Sequence, residues 1–596
     1  MSRNPAISLQ KLSFGFHIPE KIIPWLLFIG SIIFFMQGLD IHGIEYRDDE
    51  IFYYRSTSEM VAQGNYLSPT YFGENRFQKP IFFYWLIILS YQIFGQGWFA
   101  ARFVSVVFAG LTMAVTWAIG RELFDKKTAT LSCLILASVP LFFRHAKNAV
   151  PDMALNFFIV GALYCLLKFF QDPSRRIYGN LFFISCGLGF MIKGFAAVVI
   201  PCVSCLILSG IQRRGEVLRK INFPFGLLIL AVIVLPWFLF MVAKHGGGYL
   251  YYVLHAETLE RAVSTSQEGS PVFKIIKIFF TNAAFYIRTI FSYFAPWCLF
   301  LVGAIPFAVN AVIRKKEKNE SFLFLLVWFL VGFLFFSLIA SRINHLILAI
   351  TTPFALLLSG FFLIIFERSS QAATAVGIFT KTIVVVLAGL GFLGLMFIRV
   401  ILLGGSVWWV WAFLLIFTVL VLWISKTRDY FVVPLALAGV ALLVLSHSTL
   451  LSKAGLVSLS SLQEITATVN RQIKPGEIFA VGSHDIHEKE LQIYFNDPVL
   501  KAATSIPAET REKLKELFQS PRTVYCLFTE DGYRTFLKDS GLTLQVLKEN
   551  LIFRRRIYPD KKLFQAFLEF DRLTVQRYFM EKIILVVRRA PTAVLR

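Results

Sequence analysis

Apolar runs long enough to cross the roughly 30 Å of hydrocarbon in a bilayer recur through the first three quarters of the chain. Lipid offers no hydrogen bonds to a backbone, so a chain of this kind must satisfy its polar groups inside helices. The runs fall at approximately 22–38, 98–120, 128–143, 153–170, 180–193, 195–211, 223–243, 290–312, 321–339, 345–366, 377–402, 407–425 and 430–450, and predict about thirteen spans. With 56% of its 596 residues hydrophobic, the sequence reads as a polytopic α-helical membrane protein. The first run lacks a small-residue cleavage pattern and leads into Glu45 and Tyr46, so it reads as an uncleaved anchor.

A formal net charge of +22 invites a nucleic-acid reading, but the positive residues sort by loop. Arg121, Lys126 and Lys127 share one short loop, and Lys168, Arg175 and Arg176 another. Arg213, Arg214, Arg219 and Lys220 fall in a third, Arg314, Lys315, Lys316 and Lys318 in a fourth, and Lys426 with Arg428 in a fifth. With thirteen spans all five lie on one side, which the positive-inside rule makes the cytoplasm. The basic excess is a topology signal, and nucleic acid is excluded as a partner. Six of the seven cysteines lie in the predicted spans, where they act as small hydrophobes. Cys526 has no partner for a disulfide and is expected to be buried.

The chain divides into a transmembrane domain over 1–452 and a second domain over 453–596. Two outward loops of the first are too long to be connectors. Residues 39–97 mix charge with aromatics and predict helices lying in the membrane interface near 50–64 and 80–95. Residues 244–289 carry Gly246–Gly248 and a Gln267–Pro271 stretch on either side of a polar helix with His255, Glu257, Glu260 and Arg261, which reads as a mobile loop. In 453–596, short β-like runs (478–481, 491–495, 523–528, 583–587) alternate with helical pieces at 509–518 and 531–539, which predicts an α/β layer fold. His484, Asp485, His487 and Glu488 have zinc-like chemistry but no further Cys or His to complete a set, so no metal site is assigned.

Carboxylates at the outward edges of spans carry the chemistry. Asp48, Asp49 and Glu50 follow the first span, and Asp152 sits where the third gives way to the fourth. Both Asp49 and Asp152 can also cap the helices that follow them. Lys79, Lys193 and Arg342 end at the same surface, against the positive-inside bias, and call for anionic partners. Carboxylates with convergent cations suit transfer of a group away from a phosphate: the carboxylate takes the proton of an attacking hydroxyl, and Lys or Arg stabilise the charge growing on the leaving group. Nucleotide sugars are made inside the cell, so an outward site would draw its sugar from a lipid carrier.

The run from Asp49-Glu-Ile-Phe-Tyr53 through Ser58–Pro69 to Arg76-Phe-Gln-Lys-Pro80 and Tyr84-Trp85 resembles the first outer loop of bacterial aminoarabinose transferases. That family is grouped with the protein O-mannosyltransferase-like enzymes of the C-type glycosyltransferase fold. Resemblance continues through Phe99–Phe103, Val150–Met153, Lys193-Gly194, Pro236-Trp237 and Phe335–Arg342, and covers most of residues 20–366. It implies a periplasmic active site on a bacterial inner membrane protein, a polyprenyl-phosphate-linked sugar donor, an envelope glycolipid acceptor such as lipid A, and a periplasmic α/β C-terminal domain. By position it makes Asp49 the essential first-loop aspartate and Asp152 the second catalytic acid; spacing to Tyr53 and Met60 favours Asp49 over Asp48. Lys79, Lys193 and Arg342 would meet phosphate, and Arg261 would be the arginine of the mobile loop. Asp48, Glu50, Tyr53, Arg55, Gln78, Tyr84, Glu257 and His345 complete the substrate-binding set.

Departures from the family pattern bear on the sugar. Gln78 stands where a glutamate is common, Phe52 where an arginine is, with Arg55 as its replacement, Arg342 where many members have lysine, and His345 or Leu346 where a tyrosine follows. The sugar is therefore left open among aminoarabinose, a hexosamine and a hexose. No cofactor is implied beyond a possible divalent metal. A protein hydroxyl as acceptor is the alternative within the enzyme class. A transporter is the rival outside it, but the spans 377–402 and 407–425 carry no acidic residue and no internal repeat is visible.

Overall fold

The computed structural model describes residues 19–39, 48–253, 271–339, 342–367, 371–396, 418–419, 433–442, 445, 464–474, 477–482, 506–507, 511–553, 562, 565 and 571–589. Helices α1 (Ile23–Met36), α4 (Trp98–Leu123), α7 (Asp152–Gln171), α8 (Arg176–Lys193), α9 (Ala196–Ile211), α11 (Phe223–Tyr251), α14 (Asn319–Leu338), α15 (Thr351–Glu367) and α16 (Gln371–Met396) fall on predicted apolar runs. Among the described residues six helices are long and apolar enough to cross a membrane alone, or seven if one bent pair counts as a single span. The predicted span at 407–425 lies outside the described residues apart from 418–419, and 430–450 is described as an apolar helix at Val433–Leu442.

Three predicted runs differ from the observed elements, the first two at a proline. The run 128–143 is two helices, α5 (Lys126–Ser138) and α6 (Pro140–His145). Pro140 lacks an N–H, and Val139 before it is extended with ψ 119°. The run 290–312 begins inside α12 (Pro271–Tyr293), which bends through 118° around Pro296 into Trp297–Phe300 and α13 (Leu301–Ile313). The run 345–366 opens as a tight 3-10 segment, Asn344–Ile350, before α15 takes over. In the second loop, Gly246 is non-helical (φ 63°, ψ −148°) and divides α11 into two helices that meet at a kink there. Glycine absorbs that left-handed angle without strain.

The bundle packs around one continuous apolar core in which Trp297, Trp328, Tyr84 and Phe142 are fully buried. Small residues set its closest approaches. A Cβ on Gly120 would lie 2.8 Å from the Ala129 backbone, so α4 and α5 can touch only because position 120 has none.

Ion pairs gather the basic loops at one end. Glu20 below α1 bonds Arg121 and Lys126, Glu122 bonds Lys168 at 3.0 Å, and Arg214 reaches the Phe170 carbonyl and Glu320. The first outer loop forms the other end. It contains α2 (Asp48–Gln63), a hairpin of β1 (Thr70–Tyr71) and β2 (Glu74–Asn75), and α3 (Phe82–Phe94). Thus the two helices expected near 50–64 and 80–95 are present.

The C-terminal region is an α/β layer. Its sheet orders β3 (Ile478–Val481), β4 (Ile506–Pro507), β5 (Val524–Thr529), β6 (Gln545–Phe553) and β7 (Met580–Arg588) as β4-β3-β5-β7-β6. β3 runs parallel to β4 and β5, and β7 antiparallel to β5 and β6. Helices Arg511–Gln519 and Glu530–Ser540 match the predicted pieces, and β6 was not anticipated because its polar Lys548-Glu549-Asn550 breaks the apolar run. Cys526 is buried on β5, and burial pushes its thiol well above the usual value. The predicted strand at 491–495 and the His484–Glu488 cluster lie outside the described residues.

Candidate functional site

Helix α2 is amphipathic: Glu50, Ile51, Tyr53, Thr57 and Met60 are buried while Asp49 at its start is exposed. Asp48 begins the same helix. Glu50 is fully enclosed, and its carboxylate accepts two bonds from the Arg102 guanidinium, at 2.9 and 3.0 Å, and one from the Ala149 N–H at 2.6 Å. This forked pair ties the outer loop to α4 and to the turn before α7, and fixes where Asp49 emerges.

Asp152 opens α7, where the helix N-terminus favours an anion. It is 5% exposed and accepts a 2.6 Å bond from Lys193 Nζ at the end of α8. His345 Nε2, in the 3-10 segment, lies 3.7 Å from the same Asp152 oxygen, too long for a hydrogen bond but close enough to feel its charge. Behind it, the His145 ring at the end of α6 has its centroid 5.7 Å from that of His345. Four elements thus deliver one carboxylate, one ammonium and two imidazoles to one place.

An aromatic cage joins this cluster to Asp49. Arg76 is 7% exposed, donates from Nε to Tyr84 Oη at 3.0 Å, and lies 4.4 Å over the Phe52 ring. Tyr53 packs on Tyr84 with ring centroids 5.1 Å apart, and its hydroxyl is buried without a hydrogen-bond partner. Burial pushes the Tyr53 phenol well above its usual value; Tyr84, Asp49 and Asp152 add to the shift and Arg76 opposes it. Tyr53 therefore lies within electrostatic reach of both aspartates.

The remaining candidates divide. Arg55 pairs with Glu59 at 2.9 Å, and Gln78 and Lys79 are partly buried at the turn into α3, the Gln78 side-chain oxygen without a partner. Arg342 is exposed, three residues before His345, and its Nε donates to Asn282 on α12 at 2.9 Å. Glu257 and Arg261 lie outside the described residues. No cluster of three or more metal-ligating side chains occurs among the described residues.

Two residues of this constellation escape the sequence reading. Arg76 lies inside the quoted loop motif, but only its burial under Phe52 and Tyr84 marks it. His145 ends an apolar run and gives no periodic signal. One clue was available for both: an ionisable residue flanked by aromatic or apolar neighbours close to a membrane edge.

Comparison with known proteins follows the same lines. Residues 78–240 match a family profile described as dolichyl-phosphate-mannose-protein mannosyltransferase. An undecaprenyl phosphate-α-4-amino-4-deoxy-L-arabinose arabinosyl transferase of Proteus mirabilis is 29% identical over 320 residues, 53% of this chain and 55% of that protein. One from Pseudomonas fluorescens is 27% identical over 380 residues, 63% of this chain and 65% of its own. The chain thus spans a little over half to about two thirds of the length of these relatives. The crystal structure of ArnT from Cupriavidus metallidurans bound to undecaprenyl phosphate superimposes with TM-score 0.64 at 18% identity, covering 96% of this chain and 99% of that one.

The class is therefore that of polytopic membrane proteins with the C-type glycosyltransferase fold. Within it, the chain is a relative of the bacterial aminoarabinose transferases.

Proposed function

We propose that this chain is an inverting membrane glycosyltransferase of the bacterial inner membrane. It moves a monosaccharide from a polyprenyl-phosphate carrier to an envelope acceptor, lipid A foremost, on the periplasmic face. One observation carries the reading: Asp49, Asp152, Lys193 and Arg76 gather at the bundle end opposite the basic loops. The relatives' names supply the carrier and point to aminoarabinose; a hexosamine or hexose fits the same chemistry.

In this reading Lys79, Lys193 and Arg342 hold the donor phosphate while Arg76, Tyr53 and Tyr84 shape the sugar's seat. The acceptor oxygen attacks the anomeric carbon from the face opposite the phosphate. The bond from that carbon to the phosphate oxygen breaks, and its electron pair leaves on the lipid phosphate, where the cations offset the added charge. Asp49 takes the proton if the acceptor is a hydroxyl, and orients the acceptor if it is an already ionised phosphate. Asp152 supports Lys193. A protein hydroxyl as acceptor is the second reading, favoured by the mannosyltransferase profile over 78–240.

The test is transfer by the purified protein from a polyprenyl-phosphate sugar to lipid A or to a peptide. Asp49→Asn is expected to remain folded in membranes and to lose transfer by about 10²- to 10⁴-fold. Full activity of that variant removes Asp49 from the reaction, and sugar appearing on peptide alone selects the second reading.

A further inference from the structure

Arg76 is a buried cation without an anion. It is 7% exposed, yet among the described residues no carboxylate lies within salt-bridge distance of it. Its Nε donates to Tyr84 Oη, while its two terminal nitrogens donate to no described residue. Burial disfavours its charge, and Tyr84, Tyr53 and, more weakly, Asp49 act to keep it. The rings of Phe52 at 4.4 Å and Tyr53 at 5.8 Å offset part of the burial, but a ring face accepts no in-plane N–H bond. A guanidinium enclosed in this way calls for an acceptor that the resting protein does not hold.

The groups around it are donors as well. Tyr53 Oη is buried with no partner, and Tyr84 Oη, which accepts from Arg76, has its own hydrogen committed to no described residue. A planar fork beside two phenolic hydroxyls is a donor set for a carboxylate. A protonated amine brings donors alone and would set a second cation against the first. The buried Gln78 Oε1 is an unpartnered acceptor near this seat in sequence, but it carries no charge to hold an ammonium group. Asp49 does carry one, but it sits exposed at the start of α2 and serves the acceptor in the reaction above.

We propose that the sugar moved by this chain carries a carboxylate, as a hexuronic acid does, and that Arg76 is the residue that selects it. The inference rests on the donor reading given above and goes past the three sugars weighed there. Arg76 meets the carboxylate through its two terminal nitrogens, and the Tyr53 hydroxyl adds a further bond. Two features assign Arg76 to the sugar rather than to the lipid phosphate. Phe52, Tyr53 and Tyr84 surround it with ring faces, which suit the carbon faces of a pyranose. Arg76 also follows β2 on the outer hairpin, where its N–H donates to the Pro69 carbonyl at 2.9 Å, whereas Lys193 ends a helix of the bundle. A phosphate tied to a lipid tail meets the lysine, and the sugar extends outward to the arginine.

The experiment is titration calorimetry of the full chain in nanodiscs at neutral pH, where a uronic acid is ionised and an aliphatic amine protonated. The probes are farnesyl phosphates carrying glucuronic acid, galacturonic acid, glucose, galactose or 4-amino-4-deoxyarabinose. At least one uronate should bind about 10- to 100-fold more tightly than its own neutral hexose and than the amino sugar, the range for hydrogen bonds to a charged group. In Arg76→Gln that ratio should fall to near one. In Arg76→Lys, which keeps the charge without the fork, it should fall partway. A wild-type preference for the amino sugar or a neutral hexose overturns the inference, as does an undiminished ratio in Arg76→Gln. Equal weakening of every probe in that variant also overturns it, because it makes Arg76 a ligand of the phosphate. If Arg76→Gln does not fold, Arg76→Lys decides alone, and an unchanged ratio there overturns the inference. Failure of the wild type to bind any of the probes overturns the donor reading, and this inference with it.

Discussion

Glu50 and Asp49 are neighbours with opposite fates. Glu50 is spent on Arg102, so Glu50→Ala leaves a buried guanidinium without its partner and is expected to cost about 3–5 kcal/mol. A thermal melt of the protein in detergent reads that loss. Tyr53 presents the reverse case, because its buried hydroxyl has nothing to lose in the resting protein. Tyr53→Phe should leave stability unchanged or slightly raised. If the hydroxyl contacts substrate, KM for transfer should rise roughly tenfold, the worth of one hydrogen bond of about 1.4 kcal/mol. At this scale Asp49, Asp152 and Lys193 were legible because charge at the edge of a span is costly and needs a reason. Glu50's role was not: its partner lies 52 residues away, and only the fold brings them together.

Among the elements, the short hairpin over the site depends on one carboxylate. Phe72 and Gly73 both have positive φ, 54° and 79°, as a two-residue type I′ turn requires. Glycine meets that demand freely and phenylalanine does not. Glu59 offsets the strain by accepting the Phe72 and Gly73 N–H groups at 2.9 and 3.2 Å and the Thr70 hydroxyl at 2.7 Å. Glu59→Ala is expected to speed amide exchange across 70–75 and to lower transfer about tenfold, while the bundle melts as before; exchange mass spectrometry with a transfer assay checks this. Helices were the most readable elements, since length and apolarity suffice to find them. The breaks at Pro140 and Pro296 were harder, because a proline inside an apolar run can either kink a helix or end it. Strand β6 was hidden by its polar centre at the sheet's edge.

For the whole molecule, opposite ends of the bundle must face opposite compartments. A membrane-impermeant thiol reagent applied to intact spheroplasts is expected to modify Glu74→Cys and to spare Lys315→Cys until the membrane is opened. Both positions are exposed, and the native cysteines are buried apart from the partly exposed Cys202. The basic loops made that orientation readable from sequence. The meeting of α2, α6, α7, α8 and the 3-10 segment was not readable, because helix packing order leaves no local trace. The most direct measurement is a cryo-EM structure of the chain in nanodiscs with a non-transferable polyprenyl phosphodiester. The account predicts phosphate oxygens within about 4 Å of Lys193 Nζ, with Asp49 across a sugar-sized gap. A phosphate seated among the basic loops, or held where Asp49 and Lys193 both miss it, would contradict it.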